Sequence, residues 1–185
     1  ALASSGRTAR GHGRVLSEDV FDAYGARLAG DYRGARPIDA VWDAGNGAAG
    51  LTMQALTARL PGRHVCLFAE VDGRFPNHHP DPTVPENLVD LIREVRAGGF
   101  AAGIGFAGDG DRIGVVDGKG RIVWGDQSLL ILAGESLRRL PGSTIISDVK
   151  ASQILFDEIG RLGGVPLMWK TGHSLIKAKM RETEA

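Results

Sequence analysis

Apolar stretches alternate with helix-like patterns along most of the chain. The clearest helix is predicted after Pro85, where apolar residues recur from Leu88 at i, i+3, i+4 and i+7 and the pattern ends at Gly98 and Gly99. Further helices are predicted near residues 17–28, 51–60, 126–139, 152–162 and 174–185. Strands are predicted near residues 38–42, 64–69, 100–106, 113–116, 121–124, 144–147 and 165–169.

The order of these elements predicts the fold class. Strands that alternate with helices are typical of α/β proteins, and we predict a three-layer αβα domain around a mixed, mainly parallel sheet. The segment DGKG at residues 117–120 predicts a hairpin turn between two of the strands. Ser17, which precedes Glu18 and Asp19, is predicted to cap the first helix.

Three parts are expected along the chain. Residues 1–17 combine arginines with small polar residues, which is typical of a linker or a frayed arm. Residues 18–122 form the first α/β domain. Residues 123–185 begin a second α/β unit that has only two predicted strands and whose last helix has no glycine stop signal. We therefore expect the second unit to be truncated and the chain to be part of a larger protein.

Composition narrows the classes of function. Hydrophobic residues make up 43% of the chain, and the mean hydropathy is -0.08, as in globular proteins without a membrane span. Twenty-two basic residues balance 22 acidic ones, which gives no overall attraction for nucleic acid or for an anionic membrane. The single cysteine, Cys66, excludes an internal disulfide and favours a cytoplasmic location.

Two aspartates separated by a glycine are the first candidate site. Asp109 and Asp111 lie between two apolar runs, and carboxylates at i and i+2 on a curled backbone can face one Mg²⁺ ion. Arg112 follows them directly, beside any phosphate that such an ion holds. The alternative is an ordinary hairpin turn, since aspartate and glycine are frequent in turns.

A glycine-rich segment suggests a different function. Residues 45–50 (GNGAAG) fit the G-x-G-x-x-G pattern of dinucleotide-binding domains, and Glu70 follows the next strand, where an acid could bind a ribose. Against this, Asp43 stands at the mouth of the turn and would repel a pyrophosphate. The alternative interpretation of residues 45–50 is a tight strand-to-helix turn that binds no ligand.

Two histidines occur in the proline-rich segment at residues 72–82, DGRFPNHHPDP. His78 and His79 suggest metal binding, but adjacent residues of an extended chain point to opposite sides, and prolines make the segment rigid. We interpret the segment as a structural loop.

A last candidate group lies in the second unit. Residues 170–174 (KTGHS) come between a predicted strand and a helix, where backbone amides can bind a phosphate or a hydroxyl-rich ligand. His173 can exchange a proton near neutral pH. Lys150, which ends the preceding strand, lies on the same expected sheet edge. The alternative is a helix cap with a surface histidine.

Together, these segments resemble the α-D-phosphohexomutase family, most closely its phosphomannomutase/phosphoglucomutase branch. The resemblance rests on VWDAGNGAAG (41–50), DGRFPNHHPDPTVPENLVDLI (72–92), GIGFAGDGDRIGVVDGKGRIVWGDQ (103–127), SDVKAS (147–152) and WKTGHSLIKAKM (169–180). The second hypothesis is then a non-catalytic module that binds a dinucleotide or a phosphosugar through residues 45–50.

The resemblance implies a four-domain isomerase of carbohydrate metabolism. Such an enzyme interconverts hexose 1-phosphate and hexose 6-phosphate, of mannose, glucose or both, by exchanging phosphate with an active-site phosphoserine. This chain resembles domain two and the first half of domain three, and it lacks the phosphoserine motif. We expect the fragment alone to be inactive, with a phosphorylated hexose and the missing domains of the same parent chain as its partners.

The family's metal residues are carried over by position. Asp109 and Asp111 would be two of three carboxylates that hold Mg²⁺, and Arg112 would steer the transferring phosphate. The family loop usually has a third aspartate where this chain has Ala107. The resemblance therefore implies weaker binding of the metal, loss of the metal, or a compensating backbone or water ligand.

The family's substrate residues are carried over in the same way. Lys150 and His173 would be catalytic, together with Arg112, and His173 would transfer a proton. Lys150, Thr171, Gly172 and His173 would contact the substrate.

Overall fold

The structure is a computed structural model that describes residues 11, 13–34 and 36–185. The predicted arm at residues 1–17 falls mostly outside the described residues. Its described positions, 11 and 13–17, form neither helix nor strand. In the described part of the chain, no helix has the length and apolar character needed to cross a membrane.

The first unit contains a sheet of five strands. These strands are β1 (Ala40–Asp43), β2 (His64–Leu67), β3 (Ala102–Phe106), β4 (Ile113–Asp117) and β5 (Ile122–Val123). They are arranged in the order β2-β1-β3-β4-β5. The central strand β1 pairs in parallel with β2 and β3, whereas β3, β4 and β5 pair antiparallel. The predicted mixed sheet and the hairpin turn between β4 and β5 are confirmed.

Helices cover both faces of this sheet. They are α1 (Phe21–Ala29), α2 (Gly50–Thr57) and α3 (Val89–Gly98), the last preceded by a 3₁₀ turn (Pro85–Leu88). Leu91 and Val95 of α3 are fully buried against Val41 of β1. On the opposite face, Thr57 of α2 contacts the Cys66 thiol of β2, and α1 packs on α2. The unit therefore has the predicted three-layer αβα arrangement.

The second unit has a small parallel sheet. It consists of β6 (Thr144–Asp148) and β7 (Val165–Trp169), with helices α4 (Gly125–Arg139), α5 (Gln153–Arg161) and α6 (His173–Thr183). Ala133 and Leu137 of α4 pack against Leu155 and Ile159 of α5 to form its core. This α/β unit with two strands agrees with the sequence prediction.

The predicted start of the first helix is wrong. Helix α1 begins at Phe21, and Val20, not Ser17, precedes its first turn. The Phe21 N–H donates to the Asp19 carboxylate at 3.0 Å. Aspartate satisfies the free N–H groups of a helix start as well as serine does, so a different polar residue of the same segment takes this role.

A glycine at the start of α2 permits a close approach of two backbone segments. A Cβ atom on Gly50 would lie 2.0 Å from the carbonyl oxygen of Ala69, in the segment that follows β2. Any larger residue would have to move one of the two segments. This contact fixes α2 against the end of β2.

Gly50→Ala should lower the free energy of unfolding by about 3 kcal/mol, because the added methyl group has no room beside a backbone atom. Gly25→Ala is the matched control, since that glycine lies in the neighbouring helix α1 and its Cβ would make contacts of 3.4 Å or more. The control should raise stability by up to about 1 kcal/mol. Urea unfolding of both variants measures the difference, and equal stability would contradict the proposed close contact.

Candidate functional site

Three loops meet at the carboxyl edge of the first sheet, where open α/β sheets bind ligands. Residues 44–49, the glycine turn, follow β1. Residues 68–84, the proline loop, follow β2. Residues 107–112, the acidic loop, connect β3 to β4. Each loop follows one of the three parallel strands, so their main chains converge at this edge.

The glycine turn holds the acidic loop through main-chain contacts. The Ala48 N–H donates to the carbonyl oxygen of Gly108 at 2.8 Å. A Cβ atom on Gly47 would lie 2.6 Å from the same oxygen, so only glycine allows this approach. Gly47 therefore permits the close contact between the glycine turn and the acidic loop.

The N–H groups of the glycine turn are mostly occupied within the protein. Gly45 donates to the Asp43 carboxylate, Asn46 to the Phe68 carbonyl, Gly47 to the Ala44 carbonyl and Gly50 to the Gly47 carbonyl. A pyrophosphate needs such groups free. The turn therefore does not offer the cradle that a dinucleotide site requires, and the side chain of Glu70, the expected ribose ligand, is exposed.

The proline loop contacts both other loops. Asn77 donates to the Asn46 side-chain oxygen at 2.8 Å, and the Asn46 amide donates to the Glu70 carbonyl at 2.8 Å. On its other side, the Pro80 carbonyl accepts the Gly108 N–H at 3.1 Å. The three loops form one hydrogen-bonded unit, in agreement with the structural role predicted for residues 72–82.

A buried pair lies beneath the proline loop. Asp43, which is 1% exposed, accepts the Gly45 N–H at 2.8 Å and lies 3.1 Å from Nε2 of His78. The other ring nitrogen, Nδ1, lies 3.0 Å from the His79 carbonyl oxygen, which can only accept. Both ring nitrogens of His78 are thus within hydrogen-bond distance of oxygen atoms, and Nε2 reaches the buried carboxyl. Burial raises the pKa of Asp43, against the opposing effect of its hydrogen bonds.

The acidic loop is a tight turn with exposed carboxylates. Ala107 donates its N–H to the Arg112 carbonyl at 2.9 Å, and the Gly110 N–H donates to the Ala107 carbonyl at 2.8 Å. Asp109 and Asp111 are both exposed. The Asp111 N–H donates to Asp109 and holds the pKa of that carboxyl below its ordinary value. The hairpin-turn alternative and a cation site are thus compatible: the main chain forms the turn, and both side chains face solvent.

Arg112 connects the acidic loop to the proline loop. Its guanidinium lies 3.2 Å from an oxygen of Asp111 and 3.3 Å from an oxygen of Asp81. Asp81 also accepts two hydrogen bonds from Thr83, which lower its pKa. Because these ion pairs are partly exposed, they contribute little stability, and their effect is to orient Arg112.

The donor set of the acidic loop fits a weakly held Mg²⁺ ion. Among the described residues, no group of three or more His, Cys, Asp and Glu side chains could hold a metal. Mg²⁺ is commonly bound through one or two carboxylates and completes its shell with water and substrate phosphate. Asp109 and Asp111 match this requirement. Ala107 is fully buried at the end of β3, so its side chain adds no ligand.

The second group of predicted residues lies at the carboxyl edge of the second sheet. Lys150 and Thr171 both bind the carboxylate of Asp148, at 2.8 Å and 2.9 Å. Gly172 precedes α6, and the exposed His173 is its first residue. Lys150, Asp148 and side chains of α4 and α5 line a cleft of about 700 Å³.

The predicted residues thus form two groups, one on each sheet. Asp109, Asp111 and Arg112 lie in the acidic loop, whereas Lys150 and Thr171 meet at Asp148. Among the described residues, no hydrogen bond or ion pair joins the two groups.

Four residues that organise these groups were not predicted as site residues. They are Asp43, His78, Asp81 and Asp148, which bind the predicted residues or the loops that carry them. Asp148 could have been found, because it directly follows the predicted strand at residues 144–147 and lies two residues before Lys150. The pairing of Asp43 with His78 leaves no signal in the sequence.

Two family models match the chain. One is described as phosphoglucomutase/phosphomannomutase, alpha/beta/alpha domain II, and matches residues 22–120. The other describes domain III of the same family and matches residues 124–185.

Curated relatives give the same result. The phosphomannomutase/phosphoglucomutase of Pseudomonas putida is 49% identical over 171 residues, which cover 92% of this chain and 37% of the relative. The phosphoglucomutase of Neisseria gonorrhoeae is 44% identical over 94% of this chain and 38% of its own length. The chain therefore spans somewhat more than a third of the length of these relatives.

Solved structures also match. A phosphoglucomutase/phosphomannomutase family protein from Burkholderia thailandensis has a TM-score of 0.93 and 47% identity, over 100% of this chain and 40% of that protein. The N-acetylphosphoglucosamine mutase of Aspergillus fumigatus, solved with GlcNAc-6P and magnesium, has a TM-score of 0.60 over 87% of this chain and 33% of its own. At 19% identity, it shows the likeness of the fold alone.

His78→Leu should lower the free energy of unfolding by roughly 3–5 kcal/mol, because it leaves the buried Asp43 carboxyl without its partner. Asp43→Asn, which keeps a side-chain acceptor for Gly45, should cost only about 1 kcal/mol. Adding Asp43→Asn to His78→Leu should restore part of the loss, since no charge is then buried. Urea unfolding at pH 7 measures all three, and strictly additive losses would contradict a coupled pair.

Proposed function

This chain belongs to the phosphoglucomutase/phosphomannomutase family, and on that premise we propose that it contributes to an enzyme that interconverts hexose 1-phosphates and hexose 6-phosphates. The hexose is mannose, glucose or both. Because the chain spans about 37% of the first relative's length, the reaction also requires the domains that lie outside the two matched family models. One of those domains supplies the phosphoserine, and the chain alone is inactive.

The observation that carries this proposal is the construction of the acidic loop. Its main chain is bonded to the glycine turn and to the proline loop, while its two carboxylates stay exposed. Phosphoryl transfer depends mainly on positioning and on the stabilisation of charge by groups that are fixed in advance. A rigid loop with exposed charges meets both requirements.

Asp109 and Asp111 would hold a Mg²⁺ ion in this loop. When bound, the ion supplies Lewis-acid polarisation of a phosphoryl oxygen. Arg112 binds the phosphate oxygens and neutralises part of their charge; Asp81 and Asp111 hold its guanidinium in place.

The second group of residues would bind the sugar phosphate. Lys150 donates hydrogen bonds to ligand oxygens, and Thr171 and Gly172 contact the hexose. His173 holds or moves a proton on a reacting hydroxyl, a role that imidazole can perform near neutral pH. Its exposed position at the start of α6 leaves the ring accessible to a ligand.

The proposed partners are a phosphorylated hexose and the remaining domains of the parent protein. We also keep the proposal of a cytoplasmic location, which rests on the presence of one cysteine.

Titration of the chain with Mg²⁺ should give saturable amide NMR shifts confined to about residues 108–112. Asp109→Asn should abolish them, because one of the two carboxylates is lost. Asp117→Asn is the matched control, since Asp117 lies in another glycine-containing turn at the opposite end of β4 and bonds to Arg121. Shifts that survive in Asp109→Asn, or that vanish in Asp117→Asn, would contradict the assignment.

Ala107→Asp should tighten the Mg²⁺ affinity in the same titration, if a third carboxylate at this position reaches the ion. Without Mg²⁺, the variant should be less stable than the natural chain, because position 107 is fully buried. Urea unfolding with and without Mg²⁺ measures this effect. A loss of stability that Mg²⁺ does not reduce would show that position 107 lies outside the site.

Activity can be tested in a chimera in which this chain replaces the matching segment of the Pseudomonas putida relative. We expect turnover of hexose 1-phosphate by the chimera and none by the chain alone. His173→Ala should reduce kcat by about a hundredfold or more, as for loss of a general acid or base, with little change in the unfolding midpoint. Lys177→Ala, one turn further along α6, is the control. Parallel losses of kcat and stability in His173→Ala would favour a helix cap.

A further inference from the structure

Asp148 joins two predicted substrate residues, Lys150 and Thr171, which follow different strands. It is the last residue of β6, and its Oδ2 atom accepts hydrogen bonds from Lys150 Nζ at 2.8 Å and from Thr171 Oγ1 at 2.9 Å. Its Oδ1 atom accepts the Lys150 N–H at 3.0 Å. The Asp148 side chain is 17% exposed, whereas that of Lys150 is 70% exposed. The carboxylate thus lies beneath the lysine, on the protein side.

The chemistry of the carboxylate fixes the direction of these hydrogen bonds. An ionised carboxylate can only accept, so the hydroxyl hydrogen of Thr171 points to Asp148. The outer side of Thr171 Oγ1 then presents lone pairs alone. Lys150 keeps two further N–H donors, because an ammonium group has three and one is used by Asp148. The hydrogen bond from the Lys150 ammonium group is the main cause that lowers the pKa of Asp148, so the carboxyl is ionised at neutral pH.

We propose that Asp148 is a positioning residue that sets the specificity of this edge: it makes Thr171 an acceptor for a ligand hydroxyl and Lys150 a donor to a neighbouring ligand oxygen. A ligand with a hydroxyl group beside an anionic oxygen fits this pattern. Inorganic phosphate, which under the same conditions offers mainly acceptor oxygens, fits only the lysine. The proposal rests on the proposed function for the identity of this ligand as a hexose phosphate.

The lysine side of this arrangement borders a cleft, whereas Thr171 is not among the residues that line it. Asp148 and Lys150 line its carboxyl-edge side, together with Ser147 and Ser152, and its volume is about 700 Å³. A merely structural role for Asp148 would be to hold the turn after β6 through the Lys150 N–H. That role involves Oδ1 alone and needs neither the lysine ammonium nor Thr171.

The first experiment needs no ligand and follows the carboxyl carbon of Asp148 by NMR during an acid titration of the chain. Its midpoint should lie below that of an ordinary aspartate. Lys150→Met should raise the midpoint, and Thr171→Val should raise it by less, because the hydrogen bond from Lys150 lowers the pKa of this carboxyl more than the hydrogen bond from Thr171 does. Lys170→Met is the matched control, a lysine on the same edge that should leave the midpoint unchanged. A midpoint that moves in neither test variant overturns the positioning role.

The second experiment measures binding of α-D-glucose 1-phosphate and of inorganic phosphate to the same chain by amide NMR shifts. Thr171→Val should weaken binding of the sugar phosphate roughly two- to tenfold, as expected for one lost hydrogen bond, and leave phosphate binding unchanged. Thr171→Ser should restore it. Asp148→Asn should lose a similar factor, because an amide N–H can turn the Thr171 hydroxyl outward.

The double variant Asp148→Asn with Thr171→Val decides the specificity role. If Asp148 acts through Thr171, the double variant should bind the sugar phosphate no more weakly than Asp148→Asn alone. Additive losses of affinity overturn this role. Thr171→Val also overturns it if this variant weakens the binding of the sugar phosphate and of inorganic phosphate by the same factor. Failure of the proposed function is a separate result, seen as absence of turnover in the chimera while the carboxyl titration still shifts with Lys150 and Thr171.

Discussion

A carboxyl group that is 1% exposed lies beneath the proline loop, and the arrangement of the loops depends on its partners. Asp43 ends the central strand β1, where an unpaired carboxyl would be costly to bury. His78 of the proline loop is its partner. If this loop moved away, Asp43 would be left buried without a partner or exposed to solvent. The same loop carries Pro80 and Asp81, which bind the acidic loop and Arg112. One buried interaction therefore holds the proline loop in place and, through Pro80 and Asp81, the acidic loop as well.

The sequence predicted most of the fold because the signals for it are local. Apolar periodicity identified each helix and strand, and alternation of the two predicted the layers correctly. The start of α1 was missed at Ser17, since Asp19 in the same segment offers an equivalent carboxyl to the first turn. Which of two nearby polar residues caps a helix depends on the path of the chain before it, and a short motif does not determine this path.

The sequence allows candidate site residues to be named, but not the hydrogen bonds around them. Asp109, Asp111 and Arg112 can be proposed as a group because they lie within four positions of one another, and their roles stay a prediction. Asp43 and His78 are separated by 35 positions, and Asp148 and Thr171 by 23, so only the tertiary fold brings each pair together. The glycine turn shows the same limit, because its pattern suggested a ligand cradle, whereas its amides bind other parts of the protein.

Main-chain hydrogen bonds, within the turn and to Ala48 and Pro80, give the acidic loop most of its shape. The contacts that hold the loop in place are therefore largely separate from the side chains that give it its charge. An alanine at position 107 changes the charge without removing a bond that shapes the loop. Replacements among its carboxylates can accumulate while the fold persists, so the ion preference of such a loop can diverge faster than its architecture.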